Sequence, residues 1–465
     1  MKFIKFLLAA LSLVVLSRCQ GTGNEIDEKR ESTWQYGIEA AGVKDVEYEH
    51  LRDYTYSDLK KIEKDFFDDN SASLLGWMFN FTGDKARYDS VFQMRAYKVK
   101  LLSESPDGSG AMVNLSGALI VPPLKDGAKY RRVIAPPYTY IRRTEAPTLR
   151  ISNGNLDPNL VFWLLESYSH GFALIVPDYP GFGDSFGQCF IPYVEKKPMV
   201  RTTLEFVGAA QAVLAKENYP QKEGYIISGY SLGAYVSLQL ACALESGDDG
   251  TGNEFVSGKT YEYLVSDAGA AATYARAGYE TVGSEVMTTE VDYLFAGGSP
   301  CDLLEEANLV RKAESLPQPY LMPLALLGYK KNGYPQLDLK DYLNEPYATL
   351  TEEYLNGAYD DYADKFPKKT SELFTEKFIK NEGMDEANGI LAENSVEPWR
   401  NRCKFIMTHG RDDNTVYFEQ AKNFAANHNA SGGSVRFDAT GGSHSSAGLI
   451  FFLTVYSELL KVDTD

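Results

Sequence analysis

The sequence predicts an α/β protein in which a mostly parallel sheet is covered by helices on both faces and carries an inserted helical segment. Two observations lead to this fold class. From residue 159 onward, short apolar runs alternate with amphipathic helical patterns, which is typical of a parallel sheet buried on both sides. Between the apolar runs near Tyr263 and Lys404 the alternation stops for about 130 residues, too long a stretch for a loop. We therefore expect a helical cap inserted into the sheet domain.

The N-terminus has the features of an export signal. Two lysines within the first five residues precede an apolar stretch at 6–16, which is shorter than the roughly 20 residues of a transmembrane helix but suits a signal-peptide core. The sequence Leu-Ser-Arg-Cys at 16–19 resembles the lipobox of bacterial lipoproteins, although a small residue normally stands where Arg18 is. We expect a signal peptide over 1–19, with Cys19 lipidated as an anchor in the cell envelope. Ordinary secretion is the alternative.

The rest of the chain divides into four predicted parts. These are a tether and N-terminal helical segment (20–90), a first part of the sheet domain (91–280), the cap (281–400) and a second part of the sheet domain (401–465). The tether is expected at 20–33. Strands are expected at 95–102, 111–121, 132–135, 172–176, 225–228, 263–266, 404–408 and 434–437. Helices are expected at 57–69, 159–169, 199–218, 232–244, 418–427 and 447–461, and in the cap at 320–328, 349–356 and 371–380.

Charge and cysteine content exclude some classes of function. Asp and Glu number 64 against 46 Lys and Arg, so the formal net charge is −18. Nucleic-acid binding needs basic patches, and we therefore expect no nucleic-acid partner. The four cysteines after Cys19 show no C-x-x-C spacing, which argues against a zinc knot or a thioredoxin-like motif. A disulfide among them stays open for an exported protein.

A candidate nucleophile lies in the G-x-S-x-G sequence at 229–233, whose serine is Ser231. The motif follows a predicted strand and opens a predicted helix, which is the setting of a nucleophile elbow. A second match at 183–187, containing Ser185, is followed by no helical pattern. Ser231 is therefore the predicted nucleophile, and Ser185 is expected to be a turn residue.

A serine nucleophile needs a base, and the base needs a carboxylate. His444 lies among small residues between the last predicted strand and the last helix, where an imidazole can project into a cleft. His428, at a helix end, is expected to cap that helix. Asp413 and Asp412 follow the strand at 404–408 and precede His444, as the order Ser, Asp, His requires. Spacing alone does not separate the two aspartates; we choose Asp413 and keep Asp412 as the fallback.

These motifs together resemble the α/β-hydrolase family, and more narrowly its secreted lipase and esterase branch with a helical cap. The resemblance rests on the elbow at 229–233, on His-Gly-Arg-Asp-Asp at 409–413 and on Gly-Ser-His at 442–444. The sequence from Asp178 to Ser185 also resembles the family's loop after the fourth strand. The likeness covers about 91–280 and 400–465. It implies an α/β-hydrolase fold and supports Asp413 as the acid.

The resemblance also implies an oxyanion hole formed by two backbone N–H groups. One is expected from Leu232, the residue after the nucleophile. The other is expected from the loop after the third core strand, where many relatives carry His-Gly and this chain reads Pro-Pro-Tyr-Thr-Tyr. Any residue but proline can supply a backbone N–H, so Tyr138, Thr139 and Tyr140 are the candidates.

The expected reaction is hydrolysis of a carboxylic ester through an acyl-enzyme. It calls for a small-molecule ester or lipid substrate and for no metal or organic cofactor. A peptidase or amidase on the same triad is one alternative, because the motifs do not separate ester from amide cleavage. A catalytically inactive surface binding protein on this scaffold is another, motivated by the altered oxyanion loop.

Overall fold

A computed structural model of the chain describes residues 35–40, 43–69, 81, 92–246 and 290–462. The predicted signal peptide with Cys19, the tether predicted at 20–33 and the strand predicted at 263–266 lie outside these residues.

One mixed sheet organises the described part of the chain. Its strands are β1 Gln35–Ala40, β2 Val43–Tyr54, β3 Met94–Glu104, β4 Met112–Val121, β5 Tyr130–Ile134, β6 Ala173–Pro177, β7 Gln221–Tyr230, β8 Val291–Gly297, β9 Lys404–Gly410 and β10 Val435–Thr440. Their order is β1-β2-β3-β4-β6-β5-β7-β8-β9-β10. Strands β5 to β10 run parallel, and β1 to β4 form an antiparallel extension joined to them through β6. The mostly parallel sheet predicted from the sequence is confirmed.

The strand order reverses between β5 and β7. From β5 the chain crosses to β6 on one side, and β7 then pairs with β5 on the other side. Crevices form at the carboxyl ends of the strands at such a switch point, and ligands of open α/β sheets bind there. The loop after β5 and the residue after β7, Ser231, both lie at this edge.

Helices cover both faces of the sheet. They are α1 Tyr56–Asp69, α2 Pro147–Asn153, α3 Pro158–His170, α4 Lys196–Lys216, α5 Leu232–Ser246, α6 Leu303–Lys312, α7 Leu321–Lys331, α8 Tyr347–Tyr354, α9 Thr370–Leu373, α10 Glu376–Ile379, α11 Asp385–Asn394, α12 Phe418–Ala430 and α13 His444–Leu459. Successive residues of a strand point to opposite faces. In β7, Ile226 packs in the cluster formed with α3 and α13, while Ile227 packs in the cluster formed with α4 and α5. The two-layered core follows directly from this alternation.

The structure places strands of the sheet within two segments that the sequence predicts as helical. The segment predicted as tether and helix at 20–90 also contains β1 and β2, where Val46 and Tyr48 are buried. Charged residues alternate with these two and mask the strand signal. The cap predicted to start at 281 starts later, because Val291–Gly297 is strand β8, hydrogen-bonded between β7 and β9. The helical insertion between β8 and β9 therefore occupies 298–403.

Buried hydrogen bonds fasten the cap to the sheet domain. The hydroxyl of Tyr329 in α7 donates to the Val194 carbonyl at 3.0 Å. The hydroxyl of Tyr235 in α5 donates to the Asn394 carbonyl in α11 at 2.7 Å. The predicted cap helix at 371–380 divides into α9 and α10, because the backbone between them is extended at Phe374.

The cysteines after Cys19 are free thiols, so none of them forms a disulfide. Three of them, Cys242, Cys301 and Cys403, are buried. Among the residues that the structure describes, no helix is both long enough and apolar enough to cross a bilayer.

Candidate active site

Ser231 lies on a sharp turn between β7 and α5. Its φ is +57°, a conformation that residues other than glycine adopt rarely and that marks strain at functional sites. A Cβ at Gly229 would lie 2.2 Å from the Gly233 backbone, and a Cβ at Gly233 would lie 2.2 Å from the Pro136 carbonyl oxygen. The motif therefore needs both glycines so that the strand, the helix and the loop after β5 can approach one another.

His444 is the first residue of α13 and faces Ser231. Its Nε2 lies 3.0 Å from Ser231 Oγ. Tyr230 packs against the ring: its ring centre is 5.1 Å from that of His444, and its hydroxyl donates to the His444 carbonyl. On another side a Cβ at Gly298 would lie 2.9 Å from His444 Cε1. These contacts fix the imidazole against Ser231.

Asp413 completes the chain of hydrogen bonds. Its Oδ2 lies 2.7 Å from His444 Nδ1, and its Oδ1 accepts the backbone N–H groups of Thr415 and Val416, each at 3.0 Å. Burial alone raises the pKa of Asp413, but the neighbouring His444 and hydrogen bonds from the histidines outweigh it and hold that pKa well below its ordinary value. A carboxylate at Nδ1 directs the lone pair of Nε2 toward the serine.

The fallback, Asp412, does not reach His444. It is exposed and accepts the Gly442 N–H at 3.1 Å. The geometry thus separates the two adjacent aspartates that spacing left open, and Asp413 is the one beside the imidazole.

The residues predicted for the oxyanion hole lie at the same edge of the sheet. Leu232 is the first residue of α5, and the first N–H groups of a helix have no partner within the helix. The loop after β5 crosses this helix start, as the contact between Pro136 and Gly233 requires. In that loop Tyr138 and Thr139 are half-buried, and the Thr139 hydroxyl lies 2.8 Å from the Tyr193 hydroxyl. Tyr140 is buried, and its hydroxyl donates to Asp157.

The other candidates from the sequence lie elsewhere. Ser185 is buried, donates to the Phe182 carbonyl at 2.7 Å and accepts the Gly181 N–H at 2.9 Å, so it serves its own turn. His428 is buried near the end of α12 with its Nε2 2.9 Å from Asn401 Oδ1.

Sequence reasoning missed two groups beside Asp413. His409 is the first residue of the His-Gly-Arg-Asp-Asp motif, and its Nε2 lies 3.3 Å from Asp413 Oδ2. Glu306, in the cap helix α6, is buried and accepts the Tyr417 N–H at 3.0 Å, which ties the cap to the loop that carries Asp413. Burial raises the pKa of Glu306 well above its ordinary value, and the nearby Asp413 adds to this. The sequence feature that could have revealed His409 is its position four residues before the acid. No feature of the sequence points to Glu306.

Known structures share this architecture over most of the chain. A Legionella pneumophila protein provisionally assigned as a hydrolase matches with a TM-score of 0.66 at 17% identity, over 90% of this chain and 98% of that one. The rice cell wall degrading esterase LipA from Xanthomonas oryzae matches with a TM-score of 0.64 at 17% identity, over 89% and 96%. Candida antarctica lipase A matches with a TM-score of 0.52 at 11% identity, over 76% and 73%.

The chain has the α/β-hydrolase fold. No family model and no curated protein matches the sequence. The structural likeness, at identities below a fifth, concerns the fold.

A cavity of about 370 Å³ lies at the carboxyl edge of this α/β-hydrolase fold but away from Ser231. Its lining comes from the loop after β6, the end of the loop after β5, α7 and the segment after α8 of the cap, and Asp107 between β3 and β4. Aromatic rings form much of its wall, among them Phe182, Phe186 and Phe190. Ser231, His444 and Asp413 are not part of its lining.

Proposed function

We propose that the protein is a serine hydrolase that cleaves carboxylic esters, with Ser231, His444 and Asp413 as its catalytic residues. The observation that carries the proposal is the chain of contacts from Ser231 Oγ to His444 Nε2 (3.0 Å) and from His444 Nδ1 to Asp413 Oδ2 (2.7 Å). The strained turn at Ser231 supports it. The described activities of the similarly folded esterase and lipase support the choice of ester substrates.

In the proposed first step, Ser231 Oγ attacks the ester carbonyl carbon while His444 Nε2 takes the hydroxyl proton. Asp413 stabilises the resulting imidazolium. The carbonyl oxygen becomes an oxyanion that accepts the Leu232 N–H and an N–H from Tyr138 or Thr139 in the loop after β5. His444 then gives its proton to the leaving alcohol, and the acyl group stays on Ser231.

The second half repeats these steps with water. His444 takes a proton from the water molecule, the water oxygen attacks the acyl carbon, and the tetrahedral intermediate collapses to the free acid. The proton returns to Ser231 Oγ. Over the whole cycle one ester and one water give one acid and one alcohol.

A fluorophosphonate probe tests the proposal directly, because it reacts with an activated serine. We expect peptide mass spectrometry to find the adduct on Ser231 in the wild-type protein and none in His444→Ala. Ser231→Ala is expected to abolish hydrolysis of p-nitrophenyl esters, and Ser185→Ala, the matched control from the second motif, is expected to retain it. An adduct on Ser185, or ester hydrolysis that survives in Ser231→Ala, contradicts the proposal. Folded protein that neither reacts nor turns over esters favours a binding protein.

We also propose that the protein is exported and anchored through a lipid on Cys19. The proposal rests on the apolar stretch at 6–16 and the lipobox-like sequence that ends at Cys19. Metabolic labelling with a fatty-acid analogue is expected to mark the wild-type protein and not Cys19→Ser. An unlabelled wild type released into the medium would point to ordinary secretion.

A further inference from the structure

Asp413 has a second imidazole beside it. His409 is the penultimate residue of β9, and its side chain is fully buried. Its Nε2 lies 3.3 Å from Asp413 Oδ2, the same oxygen that contacts His444, and 3.0 Å from the Val416 carbonyl oxygen. The strand fixes the position of the ring, and the turn after β9 brings Asp413 back against it.

The surroundings of the ring select which of its nitrogens carries the proton. His409 Nε2 faces two oxygen acceptors, whereas its buried Nδ1 has no hydrogen-bond partner among the residues that the structure describes. A proton on Nδ1 would leave a buried donor unpaired and aim the bare Nε2 lone pair at two oxygens. The ring with its proton on Nε2 satisfies these contacts best: the N–H donates to the Val416 carbonyl oxygen at 3.0 Å, and Nε2 also lies 3.3 Å from Asp413 Oδ2.

We propose that His409 is a positioning residue for the reaction: its Nε2–H holds the carboxylate of Asp413 and shares the negative charge that Asp413 presents to His444. This inference rests on the proposed function. Asp413 Oδ1 is held by the Thr415 and Val416 amides, and the contact with His409 Nε2 at 3.3 Å adds a restraint on Oδ2. The carboxylate is thereby fixed at both oxygens.

Sharing the charge has a consequence for the base. Each N–H donated to Asp413 draws negative charge away from the contact with His444, and therefore weakens the stabilisation of the His444 imidazolium. Without His409 the His444 imidazolium gains stability, so His444 loses its proton and becomes able to act as a base only at higher pH. The hydrogen bond from His409 is also among the effects that hold the pKa of Asp413 low against burial.

Three other titratable groups lie near Asp413. They are Tyr230 at the end of β7, Tyr417 before α12 and Glu306 in α6. Burial raises the pKa of all three, to about 12 for Tyr417, and this keeps the two tyrosines neutral in the range where a histidine base titrates. Glu306 is the same in every protein that the test compares, so it affects the pH profile of each of them equally.

The test compares His409→Leu, which removes the donor, with His409→Gln, whose side-chain amide places an N–H near the position of Nε2. In His409→Leu we expect kcat to fall roughly tenfold with little change in KM, and the acidic limb of the kcat/KM profile to move upward by about half a pH unit. His409→Gln is expected to recover most of both effects. His428→Leu, which removes another buried histidine far from Ser231, is the matched control and should leave the limb in place.

Outcomes separate this inference from the proposed function. The positioning role is overturned if the acidic limb of the kcat/KM profile does not move in His409→Leu. It is also overturned if His409→Gln recovers no more of kcat than His409→Leu. In both cases Ser231 would still react with the fluorophosphonate. If His409→Leu does not fold, the test uses His409→Gln and ¹⁵N NMR spectra of the wild-type protein, which show which nitrogen of His409 carries the proton. A neutral His409 ring with the proton on Nε2 supports the inference; a proton on Nδ1 overturns it. Loss of probe labelling in the wild type would instead be a failure of the proposed function.

Discussion

Replacing Asp413 by asparagine tests the orientation of His444 at almost constant volume. The structure fixes how the amide must lie. The Oδ1 position accepts two backbone N–H groups, from Thr415 and Val416, each at 3.0 Å. Only the amide oxygen satisfies both of them, so the NH₂ group takes the Oδ2 position, 2.7 Å from His444 Nδ1. The N–H of His409, which faces the same position, keeps the Val416 carbonyl oxygen at 3.0 Å as its acceptor.

The consequence is a change of tautomer in His444. An NH₂ group donates, so Nδ1 must accept, and the ring proton moves to Nε2. That proton then points at Ser231 Oγ, 3.0 Å away, and the serine loses its base. We expect kcat to fall by about 10⁴-fold, which corresponds to ~5.4 kcal/mol in the activation free energy at 1.36 kcal/mol per factor of ten.

The assay is steady-state hydrolysis of a p-nitrophenyl ester, with thermal unfolding as the check that each variant is folded. Asp412→Asn is the matched control, because Asp412 is exposed and needs only an acceptor for the Gly442 N–H. It should stay within about twofold of the wild type. If folded Asp413→Asn keeps more than a tenth of the wild-type kcat, the reasoning from the two amide contacts to the tautomer is refuted.

Two further predictions concern packing and charge. Gly233→Ala would place a Cβ 2.2 Å from the Pro136 carbonyl oxygen, so we expect it to displace the loop after β5 and to lower kcat/KM by about 100-fold. Gly389→Ala is the control, because the space around its Cβ is open, and it should keep wild-type activity. Equal activity of the two variants would contradict the packing argument. Burial raises the pKa of Glu458, but hydrogen bonds from three basic side chains outweigh this and lower it from its ordinary 4.5 to about 2. Its stabilising contribution is therefore present above pH 4.5 and lost as the pH falls toward about 2, so the melting-temperature deficit of Glu458→Gln should shrink over that interval and not at neutral pH.

Long, strongly patterned elements were predictable because burial dictates their sequence. The helix predicted at 232–244 is α5, Leu232–Ser246, and the strand predicted at 404–408 is β9, Lys404–Gly410. Strand β2 was missed because only one of its faces is apolar and charged residues such as Glu47 and Glu49 interrupt it. Its pairing with β3, distant in sequence, supplies the stability that the local pattern lacks.

The candidate site shows the same division. The identities of Ser231 and His444 follow from short motifs at element boundaries, where glycine and neighbouring strands restrict the choice. The selection of Asp413 over Asp412 depends on how the turn after β9 folds, and the contacts of His409 depend on which way a buried strand residue faces. Glu306 comes from a cap helix more than 100 residues away in sequence from Asp413, so only the folded chain reveals their proximity.

The register of the parallel strands explains why residues from three separate segments meet. Tyr230 at the end of β7 pairs with Gly297 of β8, which pairs with Thr408 of β9, and Gly410 of β9 pairs with Thr440 of β10. The carboxyl ends of these strands are therefore level at one edge of the sheet. Ser231, Asp413 and His444 each follow one of these ends within a few residues, so short turns alone bring them together. A slip of one residue in any pairing would turn the strand's side chains to the opposite face and separate the three groups, which makes the sheet register itself part of the candidate site.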